Sequence, residues 1–206
     1  MYESSETNAV IFDVGNVLYG WDPESFLVKQ IADDEARLRF IEESGFYAWH
    51  EGLDGGRPFA EAEAERSEKF PAYADLISAW GNRFGETISG PVPGSHEIVE
   101  ELGARGVPLF AITNFSWEFW QPFHAKEEAL FSRFRGIVVS GKEKLLKPDP
   151  AIYYLALDRF GLKPSDAIFI DDRAINCEGA EAVGMKAHLF TSAEDLRLRL
   201  VAEGLL

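Results

Sequence analysis

The chain has one cysteine, Cys177, in 206 residues, so an internal disulfide is excluded and a reducing cytoplasm is the expected setting. Basic residues are scarce: 20 Lys and Arg stand against 35 Asp and Glu, a formal net charge of −15. A surface this acidic lacks the positive field that a nucleic-acid backbone requires, and it repels anionic substrates at long range. Any anion site must therefore be local, built from a metal ion, a lysine and backbone amides in one dry pocket. Long apolar runs are missing too; none approaches the roughly 20 residues of a membrane span. The polar, acid-bearing start from Met1 to Asn8 does not read as a secretory signal. Internal repeats and low-complexity tracts are also missing. The expected partner is a small molecule, with neither nucleic acid nor membrane involved.

Hydrophobic residues make up 46% of the chain, enough for one full core and a small second one. Short apolar runs at Ala9 to Phe12, Val107 to Ile112, Gly136 to Ser140, Ala167 to Ile170 and Lys186 to Phe190 read as strands. Helical patterns separate the later runs, and such alternation implies a parallel sheet with right-handed crossovers. The expected fold is α/β, a Rossmann-like doubly wound core formed by residues 1–19 and 92–206. Between these lies an insertion, residues 20–91, that reads as all-helical. Asp22 and Pro23 open it as N-cap and first helical residue. Apolar residues then recur at helical spacing from Glu24 to Ser44, ahead of an aromatic patch from Phe46 to Glu51. A glycine-rich loop is expected over Gly52 to Gly56, then a solvated helix over Ala60 to Phe70. Tyr73, Leu76, Ile77, Trp80 and Phe84 mark one more amphipathic helix. Beyond the insertion, a helix from Ser116 to Ala129 is expected to break at Pro122.

Polar groups cluster at the ends of the apolar runs. Asp13 closes the first and is followed by the turn pair Gly15-Asn16; Thr113-Asn114 closes the second. Lys147 sits in Leu145-Leu146-Lys147-Pro148, ahead of a helix, and Asp171-Asp172 closes the run that begins at Ala167. The carboxyl ends of strands are where open α/β sheets bind ligands. Asp, Thr-Asn, Lys-Pro and Asp-Asp, in that order, resemble the four signature motifs of the haloacid dehalogenase-like (HAD) hydrolase superfamily. The resemblance covers both ends of the chain and leaves about Gly20 to Pro91 outside it. It implies that the insertion is a C1 cap closing over the site. It also implies phosphoryl transfer, with Asp13 as nucleophile and Thr113, Asn114 and Lys147 as phosphate-binding groups. Asp13, the Gly15 carbonyl and Asp172 would hold Mg²⁺, with Asp171 a further ligand or a partner behind them. Hard oxygen donors suit that ion. Asn176 would orient a metal-bound water or Lys147.

One position departs from the pattern. Most phosphatases of this superfamily carry a second Asp two residues after the nucleophile, as general acid and base; here that residue is Gly15. The Asp-x-Gly-Asn form is similar to a bacterial sugar-phosphate phosphatase subgroup. The expected activity is thus a Mg²⁺-dependent phosphatase of a small phosphorylated metabolite, with a sugar phosphate as candidate. The missing acid implies slow turnover, a substrate with a good leaving group, or a replacement acid from the insertion, with His50, Glu51 and Asp54 as candidates; Trp21 lies near the hinge. Two alternatives stay open: a metal-independent 2-haloacid dehalogenase, and an inactive binding module on the same fold.

Overall fold

The computed structural model describes residues 7–206; residues 1–6 of the polar start lie outside the described residues. The chain enters through β1 (Ala9–Phe12), fully buried along its length, and turns at once into the short strand β2 (Tyr19–Trp21). Five helices follow: α1 (Pro23–Gln30), α2 (Asp34–Ser44), α3 (Phe46–Asp54), α4 (Phe59–Lys69) and α5 (Ala74–Asn82). The strand β3 (Ile88–Pro91) then returns antiparallel beside β2, pairing Tyr19 with Pro91 and Trp21 with Ile88. The remaining elements alternate: α6 (Ser95–Ala104), β4 (Leu109–Thr113), α7 (Trp117–Lys126), α8 (Glu128–Phe131), β5 (Gly136–Val139) and α9 (Ser140–Glu143). After them come α10 (Pro150–Phe160), β6 (Ala167–Asp171), α11 (Ala174–Ala182), β7 (Lys186–Leu189) and α12 (Ala193–Ala202).

The main sheet is parallel, in the order β5-β4-β1-β6-β7. The strand order reverses at β1, which puts a crevice at the carboxyl ends of β4, β1 and β6. One face of the sheet packs Ile11, Ile112 and Phe169 against Tyr153 and Leu157 of α10 and Ala180 of α11. The other face shares a single apolar core with α6, α7, α12 and the insertion, running from Val10 and Phe12 to Phe26, Trp49 and Trp80. The helical insertion is therefore packed on the sheet's own core.

Three local expectations need correction. The insertion is helical only between its roots, because Tyr19–Trp21 and Ile88–Pro91 form a two-stranded ribbon. Gly52 does not open a loop: α3 continues through it to Asp54, so His50, Glu51 and Asp54 share one helix. Pro122 does not break α7, which runs on to Lys126. The segment from Glu24 to Ser44 is two helices, with Asp33 capping the second and Gly45, at φ +58°, ending it. No helix among the described residues is long and apolar enough to cross a membrane.

Candidate active site

Backbone pairing sets the geometry of the crevice. Phe12 is in register with Ala111 and Ile170, so Asp13, Asn114 and Asp172 emerge together at the strand ends. The Asp13 N–H donates to Ile170 O at 2.8 Å, which ties the first motif to the last. Lys147 arrives on the loop before α10. The Asn114 side chain holds it by its backbone, donating to Lys147 O at 3.0 Å and accepting from Lys147 N–H at 2.9 Å.

Lys147 Nζ lies 2.8 Å from Asp13 Oδ1 and 2.7 Å from Asp171 Oδ2, and its side chain is 1% exposed. Burial alone would lower its pKa, but the two carboxylates outweigh burial and raise it. The lysine stays charged. Asp171 is fully buried, and both its oxygens are taken: Arg173 N–H and the Asn176 amide reach Oδ1, while Lys147 and Asn176 reach Oδ2. Asn176 Oδ1 is a buried acceptor with no partner. Asp172 accepts from Asn16 Nδ2 at 3.2 Å, and Asn16 Oδ1 accepts from Trp21 N–H at 2.9 Å. Asn16 itself sits at φ +55°, a conformation that Asn tolerates better than most residues.

One oxygen from each of Asp13, Asp171 and Asp172 lies within 4.8 Å of the others. Three carboxylates face one ammonium, an excess of two negative charges. Burial, opposed by Lys147 and reinforced by Asp171 and Asp172, pushes the Asp13 carboxyl up to about 7. Burial also raises Asp172. A hard divalent cation fits this donor set: it matches the charge excess, and its bound water would give Asn176 Oδ1 a donor.

The crevice opens into a cavity of about 450 Å³ between the sheet and the insertion. Asp13, Gly15, Asn114, Lys147, Asp172 and Asn176 line its floor, and Trp21, His50, Glu51 and Asp54 line its walls. Two of the expected phosphate and metal residues lie behind that lining. Thr113, the last residue of β4, is 1% exposed and in register with Val139. Asp171 is buried under Lys147. Asn114 lines the cavity with one amide hydrogen and one lone pair bonded to the Lys147 backbone, and its backbone N–H stands at the end of β4. The walls also contain Tyr19, Tyr47, Phe84, Phe115, Phe123 and Arg173. No pattern singles these out, although Phe115 directly follows the Thr113-Asn114 motif and Tyr19 lies three residues past Asn16.

Burial holds His50 neutral, with its pKa lowered to about 4. Its Nε2 lies 3.7 Å from Asp54 Oδ2. Asp54 is pushed up to about 7 by burial, against a Ser116 backbone N–H, with Glu51 and Asp13 adding to the rise. The site therefore holds an ionisable acid on the wall and a carboxylate–lysine cluster on the floor.

Residues 7–184 match the family model described as haloacid dehalogenase-like hydrolase. The chain belongs to that family. This hydrolase is similar to acyl-CoA dehydrogenase family member 10 of Mus musculus, 29% identical over 197 residues. That match spans 86% of this chain but only 17% of the mouse protein. It is also similar to a sesquiterpene phosphatase of Aspergillus oryzae, 26% identical over 186 residues and 86% of each chain. Among solved structures, a HAD family enzyme of Bacteroides thetaiotaomicron in complex with magnesium and inorganic phosphate shares the hydrolase's fold. The TM-score is 0.68 at 21% identity, covering 90% of this chain and 94% of the other.

Proposed function

We propose that the protein is a Mg²⁺-dependent cytoplasmic phosphatase of a small phosphorylated metabolite, acting through an aspartyl-phosphate at Asp13. The observation that carries this reading is the floor cluster, in which buried Lys147 bridges Asp13 and Asp171 beside Asp172. Lys147 Nζ and the Val14 N–H both sit on Asp13 Oδ1, which leaves Oδ2 as the attacking atom. Oδ2 forms a bond to phosphorus as the ester P–O bond breaks, and the Asn114 backbone N–H stands beside the phosphoryl oxygens. Bound Mg²⁺, held by Asp13, Asp172 and the Gly15 carbonyl, would supply positive charge against the phosphoryl group.

Asp54 takes the place of the acid missing at Gly15. It gives its proton to the leaving oxygen, then accepts one from the water that attacks phosphorus. That attack breaks the bond to Asp13 and releases inorganic phosphate. His50 cannot serve, since it is already deprotonated near neutral pH. Glu51 is exposed at the cavity mouth. Residues 20–91 act as a cap, because α3 carries the acid across from the core nucleophile. The Aspergillus relative's name and the ligands of the Bacteroides structure support phosphate chemistry. A dehalogenase is disfavoured by charge, since without a metal a haloacid carboxylate would meet Asp172 on the floor and Glu51 at the mouth.

The test is phosphate release from a panel of monoesters. Turnover is expected with Mg²⁺, is lost with EDTA, and is abolished in Asp13→Asn while the fold persists. Halide release without metal, or full activity in Asp13→Asn, would overturn the reading.

A further inference from the structure

We infer that the alcohol half of the substrate is neutral and apolar, a planar ring or a short branched chain, rather than a sugar or a carboxylate-bearing group. This deepens the phosphatase reading and rests on it only for placing the phosphoryl group beside Asp13.

The inner wall of the cavity is built from buried Val14, Tyr19, His50, Phe84, Phe115 and Phe123, each less than a tenth exposed. Ile88 and half-buried Trp21 continue it. The rings are held by one another. Trp21 stacks on His50 with centroids 5.3 Å apart, His50 on Phe84 at 5.7 Å, and Phe84 on Phe119 at 4.5 Å. A wall fixed in this way is preformed for an apolar face.

The polar groups on that wall are already occupied. The Tyr19 hydroxyl donates to Glu127 at 2.7 Å, Asn16 is bonded at both ends of its amide, and the Asn114 amide is bonded to Lys147. Two unpartnered nitrogens, Trp21 Nε1 and His50 Nδ1, are buried within the ring stack, and as single donors they can pair with at most two of a sugar's several hydroxyls. On the inner wall this leaves Asp54, assigned to the leaving oxygen, since Tyr47, Glu51 and Arg173 are exposed at the mouth. A sugar would bring several hydroxyls into this space, and each one stripped of water without a new partner costs roughly tenfold or more in affinity.

Charge excludes a second anionic group in the same way. Lys147 is spent on Asp13 and Asp171, His50 is neutral, and Arg173 is exposed at the rim. Glu51 at the mouth and protonated Asp54 on the wall supply no cation for a carboxylate on the substrate.

The experiment uses four esters of primary alcohols, so that leaving-group acidity is similar: 2-phenylethyl phosphate, geranyl monophosphate, glucose 6-phosphate and phosphoglycolate. With Mg²⁺ and the full chain, kcat/KM for at least one of the first two is expected to exceed both of the others by tenfold or more. The ring and chain esters tell a planar body from a branched one. Calorimetric binding to the Asp13→Asn protein with Mg²⁺ should give the same order without turnover. Glucose 6-phosphate or phosphoglycolate bound as tightly as the apolar esters overturns the inference. Hydrolysis of none of the four, with the binding order kept, supports the pocket assignment and removes the phosphatase reading instead.

Discussion

An added β-carbon at Gly15 has no heavy atom within 4 Å, and the residue's φ is an ordinary one. A β-carbon is therefore accommodated at a residue that already lines the cavity. This makes the division of labour between positions 15 and 54 testable. Asp54→Asn keeps the size of the side chain but removes its proton, and general acid–base assistance is worth about 10²–10⁴-fold. A loss in that range is expected for alkyl phosphates, and a much smaller one for 4-nitrophenyl phosphate, whose leaving group needs no proton. Gly15→Asp in the Asp54→Asn background should restore alkyl-phosphate turnover. Equal losses on both ester types, or no rescue, would show that Asp54 shapes the cavity and moves no proton. At Lys147 the prediction is harsher. Lys147→Met leaves Asp171 buried without its cation, and breaking such a pair costs about 3–5 kcal/mol. Urea unfolding should show that loss together with near-complete loss of turnover; wild-type stability in this variant would mean that Asp171 takes up a proton at no cost.

Between elements, a polar contact that ties the end of α3 to the core is made by the Ser140 hydroxyl at the start of α9. It accepts from the Phe115 N–H at 2.9 Å and donates to the Asp54 carbonyl at 2.6 Å. One buried side chain thus links the residue after Asn114 to the residue assigned as acid. Ser140→Ala leaves a buried N–H unpaired, which costs about 1–3 kcal/mol. Denaturant midpoints should fall accordingly, and kcat for alkyl phosphates should fall with them, because α3 loses its register; a stability loss with kcat unchanged would separate the two. The four motifs were legible in the sequence because each is a polar group ending a run buried on both faces, as β1 and β6 are. The ribbon was not legible. Three- and four-residue strands containing Gly20 and Gly90 carry no period, and they pair across the whole insertion. The end of α3 was misread because glycine suggests a turn, whereas apolar contacts of Trp49 and Leu53 hold the helix through Gly52. The use of Asn114 on the Lys147 backbone could not be read from residue types, since it depends on where a loop 33 residues away returns.

At the scale of the whole molecule, most acids lie at the surface, but the few gathered at the site make stability depend on pH. Asp13 and Asp54 each have a folded pKa of about 7 against a reference of 3.8, so the folded state binds their protons more tightly than the unfolded state. The sign follows from linkage: stability of the metal-free protein rises as pH falls through 7 and keeps rising toward 4. His50 acts the other way. Its folded pKa of about 4 against 6.5 makes the unfolded state the better proton binder, so the gain slackens below about 6.5. The window least affected by His50 is therefore pH 8 to 6.5, where the two carboxyls together contribute about 1.5 kcal/mol, or roughly 3–6 °C in Tm. Asp54→Asn should flatten part of that slope. Mg²⁺ competes with the proton on Asp13, so saturating metal at 100 times its Kd, worth about 2.7 kcal/mol, should raise Tm more at pH 8 than at pH 6. Thermal melts with EDTA and with Mg²⁺ across this range read both effects. A metal-free Tm that falls from pH 8 to 6.5, or a Mg²⁺ shift larger at the acid end, would mean that the floor carboxylates are ionised without a cation and that the charge excess does not define the site.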